Sequence, residues 1–284
     1  FIEWVFFSGH AHPCKDKTST TAYEYRLTDG EISVATGEFT TAAEIALQNG
    51  SLDGWDGSSP NAATDSKFWD TSNEGAKMGG LTPTQAVTDF VHTQGGKAAK
   101  LESGKVDLMG GIFAAASLYT GSFGSTNIWT QTATVNFGQS FTARPIALKG
   151  FYKYTPNVIN LVKNVPAGVT IVKDQTLDQC AIYIALAKKT YTIDNGNQST
   201  FIDFKNDENI IAYGELPSGA ATEGDGYVEF NIPLKYKNLT DQPTHIIVVC
   251  SSSKYGDYMT GGAGSTLYVD DLSLIYDGTP TIWE

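Results

Sequence analysis

The chain has 284 residues, 41% of them hydrophobic, with 14 Tyr, 14 Phe and 5 Trp and a formal net charge of −12. That length suits one large β domain or two ordinary ones, and the apolar content is enough for a real core. With 19 Lys and Arg against 31 Asp and Glu, the chain lacks the clustered cations that hold nucleic-acid phosphates or an anionic membrane surface. The balance fits a secreted protein acting on neutral ligands or binding cations. No apolar run is long enough to span a membrane as a helix.

The first 42 residues read differently from the rest. Phe1 to Phe7 offers one strand. Tyr23, Tyr25 and Leu27 then alternate on one face, a turn follows at Thr28 to Glu31, and Gly37 to Thr41 reads as a second strand. Strand, short loop and strand make a hairpin signal. The pattern T-x-Y-x-Y-R followed by G-x-F-T-T resembles the last two strands of a fibronectin type III-like module, which as a whole needs ~100 residues. The expected organisation is therefore a module remnant over 1–42, a linker over 43–48 and one β domain over 49–284. A chain beginning at Phe1 reads as a piece or a processed product, with any signal peptide or lipid anchor lying upstream.

Strand signals then follow one another, broken by Gly, Asn, Asp and Pro. Strands are expected at 97–103, 128–137, 146–154, 181–187, 201–204, 210–213, 227–236 and 245–250. In the second of these, Trp129, Ala133, Val135 and Phe137 share one face and Thr130, Thr132, Thr134 and Asn136 the polar other, so it is expected half-buried. In 227–236, Val228, Phe230, Ile232, Leu234 and Tyr236 point inward. Residues 245–250 are apolar on both faces and suit a central strand. Thr84 to Val91 is the best short helix candidate. About ten strands without long helices predict an all-β, two-sheet antiparallel sandwich. Cys14, Cys180 and Cys250 form no metal-binding spacing. Cys250 reads as a small buried hydrophobe, and a Cys180–Cys250 disulfide stays open.

The end of the chain carries the sharpest signal. Leu267 and Val269 alternate, as do Leu272 and Leu274, but the two pairs are out of phase. A side-chain period of two cannot place Val269 and Leu272 on one face. A β-bulge at Asp270–Asp271 restores it. Two adjacent carboxylates at a kink also suit a hard cation.

Asn49-Gly50-Ser51-Leu52-Asp53-Gly54-Trp55 together with Val269-Asp270-Asp271-Leu272-Ser273-Leu274 resembles the first and last strands of carbohydrate-binding jelly-roll modules, which lie side by side and often share a structural calcium. Phe68 to Gly75, Phe141 to Tyr154 and Ser251 to Gly262 extend the likeness. Over residues 49 to 277 the chain resembles the carbohydrate metabolism domain family of gut Bacteroidetes, in which the domain stands behind an immunoglobulin-like or fibronectin-like module. The resemblance implies a jelly roll and glycan handling at the cell surface or in the periplasm. It brings no catalytic residues.

A Ca²⁺ ion takes six to eight oxygens. Asp53 and Asp271 would supply side chains, with Asn49, Ser51 and Asp270 beside them. The competing reading has the two aspartates capping the bulge through backbone amides. A sugar binder needs an aromatic plate and directional polar groups. Trp69, Asp70 and Asn73 supply both in one loop, and Tyr255 and Asp257 do so in another. Tyr119 and Arg144, held extended by Pro145, are further ligand candidates, although Trp69 equally suits a buried anchor and Arg144 a structural ion pair. Glycoside hydrolysis requires two carboxyl groups. Asp70, Glu74 and Asp257 are loop carboxylates, but Glu102, Asp107, Glu215, Glu223 and Asp225 are equally available. The four histidines, His10, His12, His92 and His245, are scattered. The expected function is a monomeric, non-catalytic, extracytoplasmic glycan-binding module with calcium as its only cofactor, ahead of a glycoside hydrolase and of a structural or adhesive module.

Overall fold

The computed structural model describes residues 2–3, 22–29, 32–40, 43–107, 111–127 and 129–283. Its strands, in chain order, are β1 (Ile2–Glu3), β2 (Ala22–Asp29), β3 (Ile32–Thr40), β4 (Trp69–Thr71), β5 (Thr84–Val87), β6 (Ala98–Glu102), β7 (Gly104–Val106), β8 (Ile112–Ala114), β9 (Ser117–Asn127) and β10 (Thr132–Phe137). They continue with β11 (Gln139–Ser140), β12 (Ala147–Thr155), β13 (Ala181–Ala187), β14 (Tyr191–Asp194), β15 (Ile210–Glu215), β16 (Val228–Pro233), β17 (Lys235–Tyr236), β18 (His245–Ser251), β19 (Thr266–Ile275) and β20 (Thr281–Ile282). The single α-helix among the described residues, α1 (Asn73–Ala76), is one turn long.

The expected N-terminal hairpin forms, with Tyr23 opposite Phe39 on β2 and β3. Phe6, Phe7, His10, His12 and Cys14 lie outside the described residues. The body is a sandwich of two sheets. The larger runs β14-β10-β9-β18-β13-β15-β17-β20, and the smaller β16-β12-β19-β6-β5. Apart from the short β20, which joins β17 in parallel, the strands of both sheets pair antiparallel.

Alternation along β13 and β18 explains why the larger sheet is apolar on both sides. Ile182, Ile184 and Leu186 of β13, with Ile246, Val248 and Cys250 of β18, face the smaller sheet and meet Leu101, Leu148, Leu267 and Val269 in the main core. Ala185 and Ala187, with Ile247 and Val249, face the other way and pack on Tyr119, Phe137, Tyr191 and Ile193 in a second cluster. The expected central strand at 245–250 is thus confirmed, with five consecutive buried residues. Cys180 and Cys250 are both buried as free thiols, and burial pushes the Cys180 thiol up to about 12.

Four segments differ from expectation. The 227–236 run is two strands on different sheets: β16 pairs with β12, and β17 pairs with β15. From Phe230 to Tyr236 the inward pattern stays continuous because both stretches face one core, whereas Val228, expected inward, is exposed. Residues 84–87 form β5 rather than a helix, since pairing with β6 satisfies their backbone. Phe201 to Phe204 follows a 3₁₀ turn and packs its rings on the second cluster. Trp129 belongs to the turn between β9 and β10 and is 88% exposed.

The phase slip in the last strand is a bulge, as its sequence predicts. Lys149 of β12 pairs with Ser273 of β19 and Phe151 with Asp270, so Gly150 alone faces two residues. Asp271 adopts φ 49°, left-handed. The 49–55 segment is turn rather than strand, yet it docks there: Leu272 N–H donates to the Gly50 carbonyl at 2.7 Å. A Cβ on Gly50 would sit against the Leu272 carbonyl oxygen.

Candidate pocket on the open face of the larger sheet

A cavity of about 200 Å³ opens on the face of the larger sheet that turns away from the smaller one. Its floor is Tyr119 of β9, Val135 and Phe137 of β10, Tyr183 of β13 and Val249 of β18. One wall is the β7–β8 hairpin, through Val106, Ile112 and Phe113, and another is the α1 region, through Ala76 and Met78. The third is the loop after β18, carrying Gly256, Asp257 and Met259. A 3₁₀ turn at Gly256–Tyr258 places Asp257, and Met259 ends it with φ 57°. Gly256 allows close seating of this turn, because a Cβ there would lie 2.6 Å from the Ala115 Cβ.

Asp257 is the single acidic side chain among the described pocket residues. Its carboxylate accepts no hydrogen bond and meets no cation among the described residues, and burial alone raises its pKa from 3.8 to about 6. The side chain nevertheless keeps much of its surface open to solvent. Both facts follow from its position on the wall of an open cavity: water reaches the carboxylate from one side while protein fills the rest. Desolvation disfavours the charged form in proportion to the water displaced. The neighbouring Tyr183 phenol is raised well above its ordinary value, first by burial and then by the charge of Asp257. Tyr119 is raised by burial, then by Asp70 and Asp257. The Tyr119 hydroxyl donates to the Thr71 carbonyl at 3.3 Å. The Tyr183 hydroxyl has no partner among the described residues; since no buried polar side-chain atom among them lacks one, it opens to solvent.

Of the ligand candidates read from the sequence, Tyr119 and Asp257 meet in this pocket. Trp69 is 0% exposed, and its indole N–H donates to the Gln48 carbonyl at 2.7 Å. A ring with no free face cannot stack a sugar, so the loop composition around it was misleading. Asp70 is structural as well: it accepts from the Thr71 and Phe123 amides and pairs with Lys67 at 2.7 Å. Asn73 ties β5 in place, giving to the Thr84 carbonyl at 2.8 Å and taking from its amide at 2.9 Å. Arg144 lies outside the pocket lining and forms no ion pair among the described residues. It donates to the Asn238 and Asp241 carbonyls and lies over the Tyr236 ring at 4.6 Å. Tyr255 is half-buried, outside the pocket lining.

The expected cation set does not fit a Ca²⁺ cage. Asp270 is 2% exposed and accepts from the His92 and Asp271 amides at 2.7 and 2.9 Å. One oxygen of Asp271 takes His92 Nδ1 and the Thr93 hydroxyl, each at 2.6 Å. Asp53 accepts from the Lys97 amide at 2.7 Å, the Asn49 side chain is spent on Gly54 and Pro60, and Ser51 is exposed. No group of three or more metal-type ligands forms among the described residues. The acidic pair caps the bulge and anchors the 88–97 loop, whose His92 ring stacks on Phe151 at 3.5 Å.

Sequence reasoning missed two residues here. Tyr183 stands in an apolar run, and its signal was the face it shares with Ala181, Ala185 and Ala187, small residues that leave room above the sheet. Trp129 was assigned to a strand face. It sits at the hairpin tip between Asn127 and Gln131, which both line the pocket. The Asn127 side chain caps that turn, accepting from the Trp129 amide at 3.0 Å.

Fold and site together define a two-sheet β-sandwich domain with a ligand-sized pocket built on its larger sheet. The chain belongs to the family described as "Putative carbohydrate metabolism domain", whose model matches residues 44–275. Two solved structures share the fold. A "putative glycoside hydrolase" from Bacteroides thetaiotaomicron is 22% identical, with TM-score 0.60 over 91% of this chain and 80% of its own. Another, from Bacteroides vulgatus, is 26% identical, with TM-score 0.55 over 75% of this chain and 88% of its own. No curated protein matches the chain. No helix among the described residues is long and apolar enough to cross a membrane.

Proposed function

We propose that this domain is a non-catalytic glycan-recognition module acting outside the cytoplasm, with its ligand entering the pocket between Trp129 and Asp257. The observation that supports the reading is an almost fully exposed indole, Trp129, on the hairpin turn whose Asn127 and Gln131 line a pocket, together with one acidic side chain in that lining that has no hydrogen-bond or ion-pair partner among the described residues. Sugars offer flat C–H faces and directional hydroxyl groups, and this pair of features meets both needs. Family membership supports carbohydrate as the ligand class. Hydrolysis by the usual route takes two carboxyl groups ~5–9.5 Å apart, and Asp257 stands alone among the described pocket residues.

A second reading, glycoside hydrolysis, draws on the raised pKa of Asp257, a property of general acids in such enzymes, and on the description of the two structural neighbours. The test is a glycan-array screen of the full chain beside its Trp129→Ala variant, with reducing-end release measured on every glycan bound. Binding that the variant loses, without release, supports recognition. Release that Asp257→Asn abolishes moves the assignment to hydrolysis. No binding by a folded wild-type chain overturns the proposal and leaves a structural or adhesive role.

A further inference from the structure

We propose that the pocket recognises the N-acylamino group of an amino sugar. The inference rests on the glycan-binding reading above and names the substituent that the cavity selects. Three features of the cavity converge on it. Asp257 lines the cavity and offers an acceptor that no donor among the described residues uses. Tyr183 lines the same cavity and offers a hydroxyl that no acceptor among the described residues uses, near enough to feel the Asp257 charge. One side of the lining is hydrocarbon, through Ile112, Phe113, Ala115, Val249 and Met259, while Asn127, Gln131, Asn195, Ser251 and Lys254 make the rest polar.

A plain pyranose can meet the polar side of the lining with its hydroxyl groups, but it sets nothing apolar against Ile112, Phe113, Val249 and Met259. A secondary amide with a short acyl tail matches every element. Its N–H donates to the Asp257 carboxylate, its carbonyl accepts from the Tyr183 hydroxyl, and its methyl covers the apolar wall. A free amine would satisfy Asp257 but leave both the Tyr183 hydroxyl and the wall without a match. A uronic acid would bring a second negative charge to Asp257, with Lys254 as the single cation among the described lining residues to offset it, and it too would leave the apolar side without a match. The volume, about 200 Å³, is below the ~300 Å³ lower end of drug-sized sites, so the pocket holds one sugar unit and its substituent.

The experiment compares sugars that differ only at this substituent. The full chain is titrated calorimetrically with N-acetylglucosamine and N-acetylgalactosamine trisaccharides, with the corresponding de-N-acetylated amines, and with the parent glucose and galactose trisaccharides. At least one N-acetylated series is expected to bind about tenfold tighter than its parent, as two added hydrogen bonds of ~1 kcal/mol each would give after imperfect alignment. Tyr183→Phe removes one hydroxyl and should reduce that preference about fivefold. Asp257→Leu should abolish it. Saturation-transfer NMR should mark the acetyl methyl as the most protected ligand group. Equal affinity for N-acetylated and parent sugars overturns the inference while leaving glycan binding in place. Tighter binding of the amines also overturns it, since Asp257 would then be a cation site. Binding of no glycan, in these titrations or the array, removes the underlying reading and the inference with it.

Discussion

Replacing Asp257 by asparagine keeps the shape of the pocket wall and deletes its charge, which allows the electrostatic cost of the pocket to be measured. Burial raises the pKa of the carboxyl group from the ordinary 3.8 to about 6. A rise of roughly 2 units corresponds to about 3 kcal/mol at 1.36 kcal/mol per unit. That figure holds for full desolvation; Asp257 is open to water on one side, so the effective rise is smaller and its cost is ~1 kcal/mol. The sign follows from linkage. The folded pKa lies above the unfolded one, so the fold favours the protonated form. The corresponding stability is fully present below pH 3.8 and is lost as pH rises through about 6. Asparagine carries no such loss. At pH 7.5 the variant should therefore be the more stable by ~1 kcal/mol, raising Tm by about 2–4 °C for a domain of this size. At pH 3.5 the two proteins should melt together. Paired thermal melts at the two pH values measure the difference directly, with every other titrating group common to both. An equal Tm difference at both pH values, or a variant less stable at pH 7.5, would refute the assignment of Asp257 as an unpartnered carboxylate in a poorly solvated pocket.

Three further outcomes are expected. Ligand affinity should fall as pH drops below about 6, because a protonated Asp257 loses its strength as an acceptor; calorimetry across pH 4.5 to 8 should find the dependence in the wild type and none in Asp257→Asn. Trp69→Ala should cost ~4 kcal/mol in urea unfolding, as truncation of a fully buried tryptophan does, whereas Trp129→Ala should stay within about 0.5 kcal/mol of the wild type while weakening glycan binding. Gly50→Ala should cost ~2–3 kcal/mol, since its methyl group meets the Leu272 carbonyl and the adjoining hydrogen bond is lost; an unchanged denaturation midpoint would mean that the 49–55 turn is not seated on the bulge.

How far sequence reasoning reached depended on the range of each signal. The bulge was legible because its evidence lies within eight residues: two alternating pairs, one step out of register. The central strand at 245–250 was legible because it is apolar on consecutive positions, which only a doubly covered strand requires. The tryptophans show the opposite case. Trp69 lies in a Gly-, Ser- and Asn-rich stretch that reads as a loop, but pairing of β4 with β9 carries it into the core. Trp129 continues an alternation that stops at Thr132, because the chain must turn to bring β10 beside β9. Strand β9 itself was not expected: Ser117 to Asn127 is rich in Gly, Ser and Thr, and pairing with β10, β18 and β4 decides its structure. The pocket draws on five separated stretches between Ser72 and Met259. No local pattern carries information about such a meeting.

The larger sheet is covered on both faces, and this divides the labour of the pocket between two kinds of chain. Its floor belongs to strands whose reverse sides build the main core: Tyr183 stands between Ile182 and Ile184. The pleat fixes that floor, and a core substitution in β13 would tilt the tyrosine as a rigid lever. The walls come from a hairpin, a single helical turn and a loop, none of which the main core depends on. Substitutions in the walls should therefore reshape the pocket at little cost in stability, whereas substitutions in the floor should cost both at once.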